Sequence, residues 1–94
     1  MKRAEETIVN RLGLHARPSA ALTQLATRFA ADVFLSKGSR RVNGKSIMGV
    51  MMLAAAKGTV IVVETDGEDE DEALAAVVGL IGSGFGEEPA DRGR

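Results

Sequence analysis

The run Thr59-Val60-Ile61-Val62-Val63-Glu64-Thr65 limits most severely what this chain can fold into. Every residue in it but Glu64 is β-branched, stiff at χ1 and shaped for a pleated surface. Apolar residues follow one another there without alternation, which predicts a strand at the centre of a sheet. A central strand needs a partner on each side and a second layer over at least one face.

The remainder of the chain offers both. The segment Glu6-Thr7-Ile8-Val9-Asn10 is short and β-prone and predicts a first strand. Asp32-Val33-Phe34-Leu35-Ser36 predicts a second, and Lys37-Gly38-Ser39 turns it into a third, Arg40-Arg41-Val42-Asn43, whose charge suits a sheet edge. Leu22, Leu25, Ala26 and Phe29 recur at i, i+3, i+4 and i+7 and predict a helix over 16–30, although the residue before Pro18 should resist helical geometry. Ser46 falls where an N-cap belongs, and the apolar run 47–56 predicts a second helix stopped by Lys57 and Gly58. After the Asp66-Gly67 turn, the acids 68–72 suit a helix start, and Leu74, Val77, Val78 and Ile81 predict a third helix ending near Gly82. Beyond Gly84 glycine, proline and charge dominate, so 86–94 reads as a flexible tail on an ordered core of 6–85. The order βαββαβα predicts a single α+β domain, a two-layer sandwich with its helices on one sheet face.

Chemistry converges on one place. The chain has a single histidine and no cysteine, and imidazole is the side chain whose ordinary titration, at about pH 6.5, lies near neutrality. Gly13 permits a positive φ and Pro18 is tolerated in the first turn of a helix, so Gly13-Leu14-His15-Ala16-Arg17-Pro18-Ser19-Ala20 reads as a turn and a helix start with His15 at its N-terminus. Unpaired N–H groups and the macrodipole favour an anion there, and Arg17 adds a planar cation. Taken alone, a His-x-Arg could as well be a capping imidazole beside a solvated arginine.

A second feature is the helix after Ser46, which is apolar nearly all round. Val50, Leu53 and Ala54 form one stripe, and Ile47, Met48 and Met51 another. A short helix on a small domain cannot bury both. The outer stripe is therefore expected to meet partners, a task to which flexible thioethers are suited.

These two stretches carry a family resemblance over residues 6–87. The segment 13–20 resembles, position for position, the active-site signature of the HPr family, phosphocarriers of the bacterial phosphoenolpyruvate-dependent phosphotransferase system. Val42-Asn43-Gly44-Lys45-Ser46-Ile47-Met48-Gly49-Val50-Met51-Met52-Leu53 is similar to that family's regulatory serine segment. The resemblance implies an open-faced sandwich with a four-stranded antiparallel sheet and three helices. It implies that His15 is phosphorylated at Nδ1 by enzyme I and passes the group to a IIA protein or domain, with the Ala16 and Arg17 amides and the Arg17 guanidinium steadying the phosphate. No cofactor is implied. Ser46 matches a residue that HPr kinase phosphorylates in some members, which would place a dianion beside the apolar stripe and weaken enzyme I binding. Leu12, where sugar-transporting members carry a small polar residue, together with Ala73-Leu74 and Gly84-Phe85-Gly86-Glu87, leans toward proteobacterial members, including the nitrogen-related NPr branch.

Composition narrows the rivals. Three phenylalanines with no tryptophan or tyrosine leave little for stacking on bases, against nucleic acid as a ligand. The longest nearly unbroken apolar stretch, 47–56, is too short to span a bilayer, and the start lacks the apolar run of a signal peptide, so a cytoplasmic protein is expected; a carrier that docks successive partners is expected to be monomeric. Residues 7–63 carry a net charge of +7 and 64–94 one of −8, so a positive face around His15 is expected. A hydrolase using His15 as general base would want an orienting partner nearby, and the nearest acid upstream is Glu6. A regulator that binds through the methionine surface and never transfers phosphate is the remaining alternative.

Overall fold

The computed structural model describes residues 1–87. Four strands, β1 (Lys2–Thr7), β2 (Asp32–Lys37), β3 (Arg40–Asn43) and β4 (Val60–Asp66), form an antiparallel sheet in the order β1-β4-β2-β3. The β-branched run is thus an interior strand. Ile61, Val63 and Thr65 are fully buried on its helix side, while Val62 and Glu64 lie on the open face. There Arg41 stacks 3.9 Å from the Phe34 ring centroid and bonds Glu64 Oε1 at 3.0 Å. The charged β3 is an edge, as expected.

The first strand runs over 2–7 and not 6–10. Its pairing with β4 starts at Lys2↔Thr65 and ends at Thr7↔Val60, so an edge strand of mostly charged residues is held by its ladder and shows no apolar period. Ile8 follows it as a core residue, its N–H on Thr59 O and its C=O accepting from Gly58, both at 2.8 Å.

Three helices, α1 (Ala16–Ala26), α2 (Ile47–Met52) and α3 (Glu70–Gly82), cover the other face. Their Leu22, Ala26, Val50, Leu53, Val77 and Ile81 close one core with Val33, Leu35, Ile61 and Val63 of the sheet. Leu25 and Phe29 of the expected α1 face are only half-buried. Helix α1 stops short of Ala30 because Asp69 Oδ2 and Oδ1 accept the Ala30 and Ala31 N–H groups, at 2.9 and 2.8 Å, and draw the chain toward β2. Helix α2 also ends early. Ala54 adopts φ +50° and is exposed, outside the buried stripe assigned to it. The segment beyond it is used elsewhere, since Ala55 is buried and its carbonyl receives the Leu14 N–H. Helix α3 opens with Glu70, Asp71 and Glu72 and buries Ala73, Val77 and Ile81, with Leu74 and Val78 packed beside them. A 3₁₀ turn, Gly84–Gly86, closes the described chain. The expected tail lies, from residue 88 on, outside the described residues. No helix of the described residues is long and apolar enough to cross a membrane.

Candidate functional site

His15 is the N-cap of α1, with extended backbone at φ −80° and ψ −169°. The loop before it is tied on three sides. Leu14 N–H donates to Ala55 O at 2.9 Å, Ser19 Oγ to Leu14 O at 3.1 Å, and Asn10 Nδ2 to Gly13 O at 2.8 Å. Gly13 has φ +67°, and a Cβ there would stand 2.2 Å from Ala55 O. Only glycine allows the loop to press this closely on the segment after α2.

Among the described residues, the opening of α1 leaves two backbone donors without an acceptor. Ser19 N–H is bonded to His15 O at 3.0 Å, Pro18 has no N–H, and His15 N–H turns back to Gly13 O at 3.0 Å. The Ala16 and Arg17 amides therefore have no acceptor among the described residues, at the end of the helix where the dipole is positive. The helix begins at Ala16 although Arg17 precedes a proline; the ring sits within the first turn, where its missing N–H costs nothing. Arg17 is exposed and makes no ion pair among the described residues. Arg11, Leu12, His15, Ala16, Arg17, Gly86 and Glu87 line one open cleft.

The imidazole is 37% exposed, yet Nε2 itself is shut away from solvent. It stands 3.3 Å from Glu87 Oε2, within ion-pair reach but with its N–H direction off the oxygen, so no hydrogen bond is formed. The other carboxylate oxygen, Oε1, accepts from Asn10 Nδ2 at 3.1 Å. Gly84, Phe85 and Gly86 take φ of +72°, +61° and +72° in succession and curl the chain back over the His15 loop. Glu87 is therefore engaged with the site and does not begin a tail. Asn10, Arg11 and Glu87 escaped the sequence reading. The glycines flanking Phe85 signal a turn, but its target lies 77 residues away in the chain and no local pattern carries it.

Ser46 caps α2 as its position predicts, with Oγ accepting from Gly49 N–H at 3.1 Å. Ile47 (43%), Met48 (71%) and Met51 (39%) are exposed, and Met52 joins them. Lys37 Nζ and Arg40 Nη1 reach the carbonyls of Ala54 and Met52, at 3.3 and 3.4 Å, so basic side chains rim this apolar patch.

Fold and site together define a class, a small open-faced α+β protein with a histidine-centred cradle open to anions. Residues 2–83 match the family model for the PTS HPr component phosphorylation site. Phosphocarrier protein HPr of Neisseria meningitidis is 61% identical over 80 residues, covering 85% of this chain and 90% of that protein. Among solved structures, HPr-C-His from Thermoanaerobacter tengcongensis superposes with a TM-score of 0.90 at 45% identity, covering 94% and 99% of the two chains. The Bacillus subtilis catabolite repression protein Crh, described as a swapped dimer, gives 0.73 at 46% identity over 79% and 85%. The chain belongs to the HPr family of phosphocarriers of the phosphotransferase system.

Proposed function

We propose that this protein accepts a phosphoryl group on His15 Nδ1 from enzyme I, with phosphoenolpyruvate as the source, and passes it to a IIA protein or domain of a sugar or nitrogen-related system. The observation that carries the proposal is the pair of Ala16 and Arg17 amides, without an acceptor among the described residues, beside the partly exposed imidazole. They and the Arg17 guanidinium offer a phosphate several donors from one side. The imidazole supplies the nucleophile, and positioning with charge stabilisation supplies the rest. The protein acts as a cytoplasmic monomer, docking successive partners through Ile47, Met48 and Met51.

Incubation with enzyme I and phosphoenolpyruvate should add one acid-labile phosphate, read by intact mass, and His15→Ala should add none. A stable phosphate, or one retained in His15→Ala, would overturn the assignment.

A second reading is favoured by the cap at Ser46 and by the likeness to Crh. HPr kinase would phosphorylate Ser46 and set a dianion beside Met48, making the protein a regulator that binds and does not transfer. Slower His15 phosphorylation in Ser46→Asp would support control at Ser46; loss of regulatory binding in His15→Ala would argue against a purely Ser46-driven role.

A further inference from the structure

The carboxylate of Glu87 has no part in the phosphate cradle, since it is an anion facing the opposite ring nitrogen. Nε2 is buried and stands 3.3 Å from Glu87 Oε2. A neutral imidazole carries its proton on one nitrogen only. A lone pair on Nε2 would confront the lone pairs of the carboxylate, whereas an N–H there is attracted to them. The arrangement therefore selects the tautomer protonated at Nε2, and the lone pair is left on Nδ1. Glu87 is itself held: Asn10, only 6% exposed, donates through Nδ2 both to Glu87 Oε1 at 3.1 Å and to Gly13 O at 2.8 Å. One amide thus fixes the carboxylate to the same loop that fixes His15.

We infer that Glu87, anchored by Asn10, is a positioning residue for phosphoryl transfer, keeping the proton on His15 Nε2 so that Nδ1 is the nucleophile. The inference rests on the carrier reading and gives it a direction. As the Nδ1 lone pair forms the bond to phosphorus, the bond from phosphorus to the donor breaks and its electrons leave with the donor. The ring keeps its Nε2 proton and becomes formally cationic, 3.3 Å from a carboxylate. That attraction, weak toward the neutral ring, strengthens as charge develops, which is the condition for lowering a barrier. On the return step the retained proton lets Nδ1 leave as a neutral imidazole, so the same contact serves acceptance and release. The Nε2–Oε2 contact is not a hydrogen bond in the structure, and contacts of this kind commonly tighten only as a site takes on charge.

The test uses the whole protein with isotope-labelled imidazole nitrogens, observed by NMR roughly two pH units above the ordinary histidine value. The wild type should show Nε2 protonated, with a slowly exchanging N–H. Glu87→Ala should lose that signal and populate the other tautomer, with unchanged far-UV circular dichroism. Its phosphorylation by enzyme I should slow roughly tenfold, the low end of what the hydrogen-bond partner of a metal-ligating histidine carries. Asn10→Ala should move both readouts the same way, and Glu87→Gln, which keeps an acceptor oxygen, should restore the tautomer in part. Identical tautomer populations in wild type and Glu87→Ala would overturn the inference, as would an unchanged transfer rate. The NMR readout needs no phosphate, so a protein that enzyme I never phosphorylates would sink the carrier reading while the tautomer still judged Glu87.

Discussion

Gly13→Ala tests whether the His15 loop depends on its contact with the segment after α2. At φ +67° an alanine pays the left-handed penalty, about 1.5 kcal/mol. Its Cβ, placed 2.2 Å from Ala55 O, cannot stay there, and the backbone of Ala56 lies behind it at 2.9 Å. The loop must lift, which breaks the Leu14–Ala55 hydrogen bond, worth about 1 kcal/mol net. Leu14, 5% exposed, then loses part of its burial, about 1 kcal/mol more. The stiffer unfolded chain returns somewhat under 1 kcal/mol. The expected net loss is about 3 kcal/mol, a thermal midpoint lowered by about 15 °C for a domain of this size. Denaturant and thermal unfolding measure it directly. Phosphorylation by enzyme I should fall well below what the folded fraction explains, because the imidazole has moved relative to the α1 amides. A loss under about 1 kcal/mol with normal phosphorylation would refute the claim that this close approach places the histidine.

Other substitutions probe the remaining features. Ala54→Gly relieves the φ of +50° at an exposed position and should stabilise by about 0.7 kcal/mol in denaturant unfolding; a lower midpoint would contradict the strain. Ser46→Ala removes the α2 cap and should cost about 1 kcal/mol, whereas Ser46→Asp keeps an acceptor and should unfold near the wild type, so any slowing of its phosphorylation is a charge effect. The Ala30 N–H and then the Ala31 N–H hold the Asp69 carboxyl below its ordinary value of 3.8. A lowered folded value means stability fully present above about pH 4 and lost as pH falls through it. Asp69→Asn should be the less stable at neutral pH, and the gap should close on acidification; a constant gap would sink the argument. Glu70, lowered chiefly by the Gly67 N–H, remains in both proteins and keeps some acid dependence in each.

The parts of the fold that were legible in the sequence are those whose causes are local. Helix α3 announces itself through acids in its first turn and an apolar face, and the Ser46 cap through its place before an apolar run. Strand β4 is β-branched because it is buried in the interior of the sheet. Elsewhere a distant partner decides. Strand β1 is charged and is held by β4, α1 stops where Asp69 captures residues 30 and 31, and α2 stops so that Ala55 can meet Leu14. The site divides the same way. His15 and Arg17 belong to one short stretch and could be read, whereas Glu87 reaches the histidine only through three successive left-handed residues.

The link between Asn10 and Glu87 has a consequence for folding kinetics. It closes a loop of 77 residues, and closure entropy is spent before such a contact returns anything. Closing so long a loop is slow, and a side-chain contact made from a short turn after the last helix is among those that open at least cost. A newly made chain can wind α1 and present its histidine early, from neighbouring residues alone, yet lack the carboxylate behind the ring until its last helix has docked. The arrangement couples a full complement of groups around His15 to completion of the whole domain, so a half-folded copy would compete poorly for phosphate.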